Sequence, residues 1–223
     1  MKSILASFSL LAILANANPV EPRQSCPKVH VFGARETTAS AGYGTAGGLV
    51  NQVLASYSGS TAEAIVYPAC GGQASCGGVS YDSSQSQGTT AVVKAVNDFN
   101  AKCPSTQLVL VGYSQGGQIM DNAICGGGSA QLSGNALNAV KAAIFMGDPR
   151  YVHGLSYNVG TCAAQGFAAR PVGFTCVSAA KLKSYCDAPD PYCCTGNDAA
   201  THQGYVTKYG SQALAFIKTK VTA

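Results

Sequence analysis

The sequence predicts an α/β fold in which a central, mostly parallel sheet is covered by helices on both faces, as a three-layer sandwich. Residues 108–111 and 143–146 are apolar at every position, which is typical of parallel strands buried on both faces. Such runs alternate along the chain with longer runs that place apolar residues at helical spacing, as in α/β proteins. The length of 223 residues favours a single domain.

In the first half of the chain, the hydrophobic pattern alternates between short β-type runs and longer helical ones. It predicts strands at residues 29–32, 64–67 and 108–111. It predicts helices at residues 43–57 and 85–103. A Gly or Pro directly after each of the first two strands ends it.

The second half of the chain contains one clear strand and a long irregular segment. Helices are expected at residues 115–125, 137–142 and 204–221, and a strand at residues 143–146. Residues 151–192 are rich in Gly, Pro and Cys and show little periodicity. We therefore expect disulfides, rather than regular packing, to hold that segment.

The composition excludes several classes of protein. Charged residues make up 11% of the chain, against roughly 25% in ordinary soluble domains, and hydrophobic residues make up 47%. That balance excludes a disordered chain. The net charge of +4 is spread without a basic run, so no nucleic-acid partner is expected. No long apolar stripe is left over for a partner subunit, so a monomer is expected.

The N-terminus predicts secretion. A basic start at Lys2, a short apolar run and a small-residue exit describe a signal peptide at residues 1–17. Residues 18–24 resemble a pro-segment that could be cut after Arg23, leaving residues 25–223 as a single catalytic domain. The apolar run is shorter than the about 20 residues that a membrane anchor needs, so no membrane association is expected.

All ten cysteines lie after the predicted pro-segment. An even number in a secreted chain predicts a disulfide framework. Paired CxxC motifs with partner histidines are missing, so no metal is expected. The cysteines are Cys26, Cys70, Cys76, Cys103, Cys125, Cys162, Cys176, Cys186, Cys193 and Cys194.

A GxSxG motif, centred on Ser114, lies between the apolar strand at residues 108–111 and the helix that follows. This strand–turn–helix setting is that of a nucleophile elbow, which presents the serine above the sheet. The start of the following helix places backbone N–H groups beside the serine, where they can stabilise an oxyanion. The alternative is an ordinary Gly-rich turn, since such a short motif also occurs by chance.

A serine nucleophile needs a base, and the chain has three histidines. His30 alternates with apolar residues in the first strand, which favours a core position. His153 and His202 both follow the serine, as the base does in this class of fold. Between Ser114 and His153 the only acids are Asp121 and Asp148, and the latter resembles a cap at the end of a strand.

Three further acids precede His202 and could orient its ring. Asp198 is close enough to cap the approach to the last helix. Asp187 and Asp190 are better placed on a separate loop, as a triad requires. The residues alone do not choose between these two acids.

Several sequence blocks, spread over almost all of residues 25–223, resemble one family. The chain is similar to the cutinase superfamily of α/β-hydrolases and, within it, closely resembles fungal acetylxylan esterases. The GYSQG block and the CDxxDPYCC block followed by a histidine are together highly specific. The blocks lie at residues 26–27, 30–38, 67–72, 111–117, 146–149, 185–187, 190–194 and 201–205.

The resemblance implies a role for each candidate site residue. Ser114 would be the nucleophile, Asp190 the orienting acid and His202 the base, with no cofactor and no metal. The oxyanion would bind the backbone N–H of Gln115 and a second donor from Thr37. The resemblance also implies the disulfide pairs Cys26–Cys103, Cys70–Cys76, Cys125–Cys176, Cys162–Cys194 and Cys186–Cys193.

The implied function is the extracellular removal of acetyl groups from acetylated xylan, a plant cell-wall polysaccharide. Tyr192 is adjacent to the implied acid, and its ring is a candidate for narrowing the acyl site. It could equally be a structural ring packed beside disulfides. The alternatives are a cutinase that hydrolyses cutin polyester and a non-catalytic, disulfide-rich binding protein. Because the chain has no Trp, any stacking on sugar rings is expected to use Tyr.

Overall fold

The computed structural model describes residues 25–222, so the predicted signal peptide and pro-segment (residues 1–24) lie outside the described residues. The described residues contain six strands, all of which belong to one sheet. They are β1 (Val29–Ala34), β2 (Thr61–Ala64), β3 (Gln107–Tyr113), β4 (Val140–Met146), β5 (Asn158–Val159) and β6 (Leu182–Tyr185).

The strand order is β2–β1–β3–β4–β6–β5, and every neighbouring pair is parallel. This confirms the predicted parallel sheet. The helices are α1 (Gly47–Ser56), α2 (Tyr81–Lys102), α3 (Gln115–Cys125), α4 (Gly134–Ala139), α5 (Ala199–Gln203) and α6 (Tyr205–Lys220). Within residues 25–222, none of these helices has the length and hydropathy needed to cross a bilayer.

Helices cover both faces of the sheet because alternate side chains of each central strand point to opposite sides. In β3, Val109 and Val111 belong to the buried cluster that includes α1 and α6. Leu108 and Leu110 belong to the cluster that includes α2, α3 and α4. All four side chains are fully buried. The three-layer α/β arrangement expected from the sequence is confirmed.

The edge strand β2 differs from its prediction. We expected residues 64–67, but the strand is Thr61–Ala64, and its residues are all partly or fully exposed. Its register is set by pairing with β1 alone, through His30 opposite Thr61. Ile65 and Tyr67 are buried, but they lie in the loop that follows. The predicted strand therefore lies three residues too far along the chain, because the apolar run that predicts it begins where the strand ends.

Two predicted helix boundaries also move. The helix expected at residues 137–142 is α4, Gly134–Ala139, because Val140 already pairs with β3 as the first residue of β4. The helix expected from residue 85 begins at Tyr81. Ser80 caps it there, since its hydroxyl accepts a hydrogen bond from the N–H of Ser83 at 3.2 Å.

The irregular segment at residues 151–192 contains two strands that the pattern did not predict. Strand β6 pairs with β4 over four residues, and β5 pairs with β6 over two. Runs this short lack a periodicity that can be recognised in a Gly- and Cys-rich sequence. Sheet pairing and disulfides therefore hold the segment together.

The ten cysteines form five disulfides, in the pairs that the resemblance implies. Two of them bracket the loop after β6, and one joins the end of α3 to the irregular segment. The pairs are Cys26–Cys103, Cys70–Cys76, Cys125–Cys176, Cys162–Cys194 and Cys186–Cys193.

Candidate active site

Ser114 lies on the sharp turn between β3 and α3, at the carboxyl edge of the sheet. Its backbone has φ +53°, a conformation that non-glycine residues rarely adopt and that often marks a functional position. A Cβ on Gly112 would lie 2.3 Å from the carbonyl oxygen of Gly116, and one on Gly116 would lie 2.2 Å from that of Ala34. Only glycine therefore fits at either position, which is the physical reason for the GxSxG pattern.

The turn gives Ser114 a fixed position with little exposure. Its N–H donates to the carbonyl of Met146 in β4 at 2.8 Å, and 9% of the residue is exposed. Gln115 is the first residue of α3, and the first N–H groups of a helix have no partner within the helix. The backbone beside Ser114 can thus bind an anion.

The structure brings His202 and Asp190 together. Nδ1 of His202 lies 2.7 Å from Oδ2 of Asp190, and both residues are buried. His202 is in the short helix α5, and its carbonyl accepts a hydrogen bond from the buried hydroxyl of Tyr113. One ring nitrogen is therefore held by the carboxylate, which leaves the other to face the pocket.

Asp190 remains ionised although it is fully buried. Burial raises the pKa of its carboxyl, but hydrogen bonding to His202 and the charge of that ring outweigh burial and hold the pKa below its usual range. The N–H of Tyr192 also donates to Oδ1 at 2.6 Å, and that of Cys193 at 3.0 Å. The hydroxyl of Tyr205 donates to Oδ2 at 2.8 Å.

The other candidate acids have different partners. Asp187 binds Nζ of Lys208 at 2.7 Å and the hydroxyl of Tyr209 at 2.8 Å. Burial raises the pKa of Asp187, but these hydrogen bonds outweigh it and leave the pKa low. Asp198 caps α5 by accepting from the N–H of Ala200 at 2.9 Å. Of the two acids that the sequence left open, Asp190 is the one at the histidine.

The other histidines lie elsewhere. His30 is buried in β1, as the sequence predicts, with Nδ1 2.6 Å from the hydroxyl of Thr61. His153 is exposed in the loop after β4, with Nδ1 3.2 Å from the carbonyl of Cys162. His202 therefore stands alone at the serine turn among the described histidines.

Ser114 and His202 line one open pocket of about 370 Å³. Thr37 and Tyr192 line it as well, so the structure brings four of the predicted site residues to one cavity. Within residues 25–222, no hydrogen bond joins the Ser114 hydroxyl to the His202 ring. Such bonds are often long in enzymes without substrate and tighten in the reacting complex.

The pocket also contains residues that sequence reasoning missed. Tyr81, Phe167 and Gln73 line it, and each comes from a segment without a recognisable motif. Phe167 is 59% exposed. An exposed Phe therefore borders the pocket beside the Tyr residues from which the sequence predicts sugar stacking. No sequence signal distinguishes Phe167 from a core residue.

The loop that carries Thr37 is fixed to the turn after β2. The N–H of Thr38, which has φ +65°, donates to the carbonyl of Ala69 at 2.6 Å. The side chain of Glu36 accepts from the N–H of Thr45 at 2.9 Å. These bonds fix the loop from which Thr37 lines the pocket.

The buried side chain of Gln115 links the turn after β2 to α3. Its Nε2 donates to the carbonyl of Cys70 at 3.0 Å, and its Oε1 accepts from the hydroxyl of Ser84 at 2.8 Å. That hydroxyl in turn accepts from the N–H of Cys70 at 2.9 Å. A closed ring of three hydrogen bonds therefore fixes the position of Gln115 relative to the Thr37 loop.

Tyr192 lies directly against the histidine. Its ring centroid is 4.5 Å from that of His202, and 42% of the residue is exposed. Its carbonyl accepts from the N–H of Phe167 at 3.1 Å. The ring lines the pocket beside His202, and its backbone belongs to the loop that holds Asp190.

The disulfides around this loop leave no metal site. The sulfur atoms of Cys162, Cys186 and Cys194 lie within 4.8 Å of one another. Each is already bonded to another cysteine, and a disulfide sulfur is not the thiolate that binds zinc. These sulfurs therefore serve to hold the Asp190 loop.

A strained serine between a parallel strand and a helix, next to a buried Asp–His pair, defines a serine hydrolase of the α/β type. The family model for Cutinase matches residues 25–221, and the chain belongs to the cutinase family. This confirms the family expected from the sequence.

The chain is similar to both kinds of enzyme that its sequence resembles. It is 64% identical to acetylxylan esterase 2 of Talaromyces purpureogenus, over 99% of this chain and 100% of that one. It is 62% identical to cutinase 11 of Verticillium dahliae, over 95% of this chain and 75% of that one. A solved acetylxylan esterase at 0.90 Å resolution superposes with a TM-score of 0.86 and 66% identity, over 89% of this chain and 100% of that one.

Proposed function

We propose that this protein is a secreted serine esterase that removes acetyl groups from acetylated xylan. The observation that carries the proposal is the buried Asp190–His202 pair beside the strained Ser114, at one open pocket. The similarity to acetylxylan esterases over the whole chain supports the substrate. The five disulfides support action outside the cell.

In the proposed mechanism, His202 takes the proton of Ser114 as the hydroxyl attacks the ester carbonyl. Asp190 orients the imidazole and stabilises the cation that forms. His202 then gives the proton to the sugar oxygen as the bond from that oxygen to the acetyl carbon breaks, so the sugar leaves with a free hydroxyl and the acetyl group stays on Ser114. Water attacks the acetyl-enzyme with the same histidine as base, and acetate departs.

The tetrahedral intermediate carries a negative charge that needs donors. We assign the N–H of Gln115 and Thr37 to this role, because Gln115 directly follows Ser114 as the first residue of α3 and Thr37 lines the pocket that contains Ser114. The hydrogen-bond ring through Cys70 and Ser84 supports the assignment, since it fixes Gln115 against the same turn to which the N–H of Thr38 is bonded.

A cutinase acting on cutin polyester is the second candidate, favoured by the identity to cutinase 11. The two functions differ in the acyl group that the pocket must hold. Cutin needs room for long chains, whereas acetyl needs little. Tyr192 at the rim and the whole-chain similarity to an acetylxylan esterase favour acetyl.

The test compares acetate release from acetylated xylan with monomer release from cutin, in a single preparation. We expect acetate release to dominate, and faster release from cutin would overturn the acetyl assignment. A second measurement addresses the chemistry. Phenylmethylsulfonyl fluoride should label the protein and block ester cleavage, and the Ser114→Ala variant should not be labelled. An unlabelled, uninhibited wild type would favour the non-catalytic alternative.

A further inference from the structure

A ridge formed by Tyr81 and Phe167 stands at one side of the catalytic pocket. The rings meet edge to face, with centroids 5.2 Å apart. The Tyr81 hydroxyl donates to Oε1 of Gln118 in α3 at 2.8 Å, and the N–H of Phe167 donates to the carbonyl of Tyr192. The ridge is therefore tied both to the nucleophile helix and to the loop of the acid.

A second cavity adjoins this ridge, and we call it the second groove. Its volume is about 520 Å³, larger than the 370 Å³ of the catalytic pocket. Phe167 lines both cavities. Tyr81 lines the catalytic pocket, and its sequence neighbour Asp82 lines the second groove. The second groove is also lined by Gln85, Gln118, Gln165, Ala169 and Val172.

The walls of the second groove suit a neutral ligand rich in hydroxyls. Carboxamide side chains offer both donors and acceptors, which is what hydroxyl groups need. Arg150 and Arg170 also border the groove, but both guanidinium groups donate hydrogen bonds within the protein. Arg150 donates to the carbonyl of Gly127 at 2.6 Å, and Arg170 pairs with the buried Asp121 at 2.9 Å. An anionic ligand would also face the carboxylate of Asp82, which lines the groove.

The exposed ring of Phe167 adds a flat apolar surface between the two cavities. A pyranose ring presents flat faces of C–H groups and edges of hydroxyls, so a ring and nearby amides match it. When one sugar of a polymer places its acetyl group at Ser114, the linked sugars must lie outside the catalytic pocket. The second groove offers a place for them directly across Phe167.

We propose that the second groove is a subsite for the xylan main chain, which binds the sugars linked to the acetylated one, with Phe167 packed against a pyranose face. This inference rests on the proposed function, since it assumes a polymeric acetylated substrate. It assigns the groove to substrate selection and not to the chemistry.

The test fills the groove at Ala169, which lines it but does not line the catalytic pocket. For Ala169→Tyr we measure kcat/KM on acetylated xylan and on p-nitrophenyl acetate, and compare the ratio of the two with that of wild type. The ratio should fall about tenfold, mainly through KM for xylan. Val66→Tyr adds the same side chain at an exposed position by β2, where it should leave the ratio unchanged.

A second variant covers the case in which Ala169→Tyr does not fold. The double variant Asp82→Ala with Gln165→Ala removes two exposed polar side chains from the groove wall and should lower the same ratio. Ratios equal to wild type in the folded variants would overturn the inference while the proposed function stands. A loss confined to long-chain p-nitrophenyl esters would assign the groove to acyl chains and also overturn it. If wild type released no acetate from xylan, the proposed function itself would fail.

Discussion

The hydroxyl of Tyr205 donates a 2.8 Å hydrogen bond to Oδ2 of Asp190, the same carboxylate oxygen that faces Nδ1 of His202. The hydroxyl also accepts from the N–H of Asp187 at 2.9 Å. Burial raises the pKa of Tyr205, so its hydroxyl stays protonated and can only donate to the carboxylate. Tyr205 is thus a positioning residue that shares the charge of the candidate acid with the histidine.

Removing that hydroxyl in Tyr205→Phe should lower kcat/KM for p-nitrophenyl acetate about tenfold to a hundredfold. A hydrogen bond to a charged group contributes roughly 1.5–3 kcal/mol, and 1.36 kcal/mol is a factor of ten in rate. The acidic limb of the pH–rate profile should also move to higher pH, because the carboxylate then attracts the imidazole proton more strongly.

The control for this variant is Tyr209→Phe, since the Tyr209 hydroxyl binds Asp187 and not Asp190. It should keep the wild-type profile. A Tyr205→Phe variant with lower activity but an unmoved acidic limb would mean that Tyr205 acts only through stability.

The choice of acid can be tested with two matched substitutions. Asp190→Asn should lower kcat by about 10⁴, since the amide no longer stabilises the imidazole cation. Asp187→Asn removes the pair with Lys208 and should lower the melting temperature, with only a small loss of kcat. Equal losses of kcat in the two variants, measured on folded protein, would contradict the assignment of Asp190.

The rim position of Tyr192 predicts a preference for short acyl chains. Wild type should cleave p-nitrophenyl acetate much faster than esters of eight or more carbons. Tyr192→Ala should narrow that difference by opening the rim, whereas Tyr192→Phe keeps the ring and should resemble wild type. An unchanged chain-length profile in Tyr192→Ala would make the ring structural.

Removing two disulfides one at a time should affect stability and activity in opposite orders. Cys26–Cys103 closes a stretch of 77 residues and Cys186–Cys193 one of 7. In the chain-entropy description, their loss costs about 4.5 and about 2.4 kcal/mol of the free energy of unfolding, respectively. Replacing both members of the first pair by Ser should therefore lower stability more, as measured by urea unfolding.

Activity should follow the opposite order. Cys186–Cys193 encloses the loop that carries Asp190. Loss of this disulfide should therefore lower kcat even at temperatures well below the melting temperature of the variant. Cys26–Cys103 joins the segment before β1 to the end of α2. Loss of this disulfide should leave kcat close to the wild-type value. The reverse order of kcat values would show that the short disulfide does not hold the acid loop.

His30 predicts a pH dependence of stability. Burial lowers its pKa to about 4, whereas an unfolded chain has a histidine pKa of about 6.5. Between these values the unfolded chain binds a proton that the folded protein does not. The free energy of unfolding should therefore fall as the pH drops from about 6.5 to about 4.

Part of that fall should disappear in His30→Gln, because glutamine does not titrate. The facing acid is Glu63, whose Oε2 lies 3.8 Å from Nε2 of His30, and burial raises the pKa of Glu63. His153→Gln changes an exposed histidine and should follow wild type. A His30→Gln curve as steep as that of wild type would remove His30 as a cause.

The central sheet and the nucleophile turn could be predicted because their signals are local. The apolar strand, the two glycines and the helix around Ser114 follow one another without interruption, and the steric limits at Gly112 and Gly116 arise within the turn and against β1. The short strands β2, β5 and β6 could not be placed correctly. Each is four residues or shorter, and its extent depends on the partner strand rather than on its own pattern.

The sequence by itself determined the α/β class, the serine at its turn, the disulfide-rich character and a shortlist of bases and acids. Only the tertiary structure decided between Asp187 and Asp190, which lie three positions apart on one loop. Long-range contacts direct one carboxylate to His202 and the other to Lys208. The pocket wall of Tyr81 and Phe167 arises in the same way, since folding alone brings two distant, motif-free segments together.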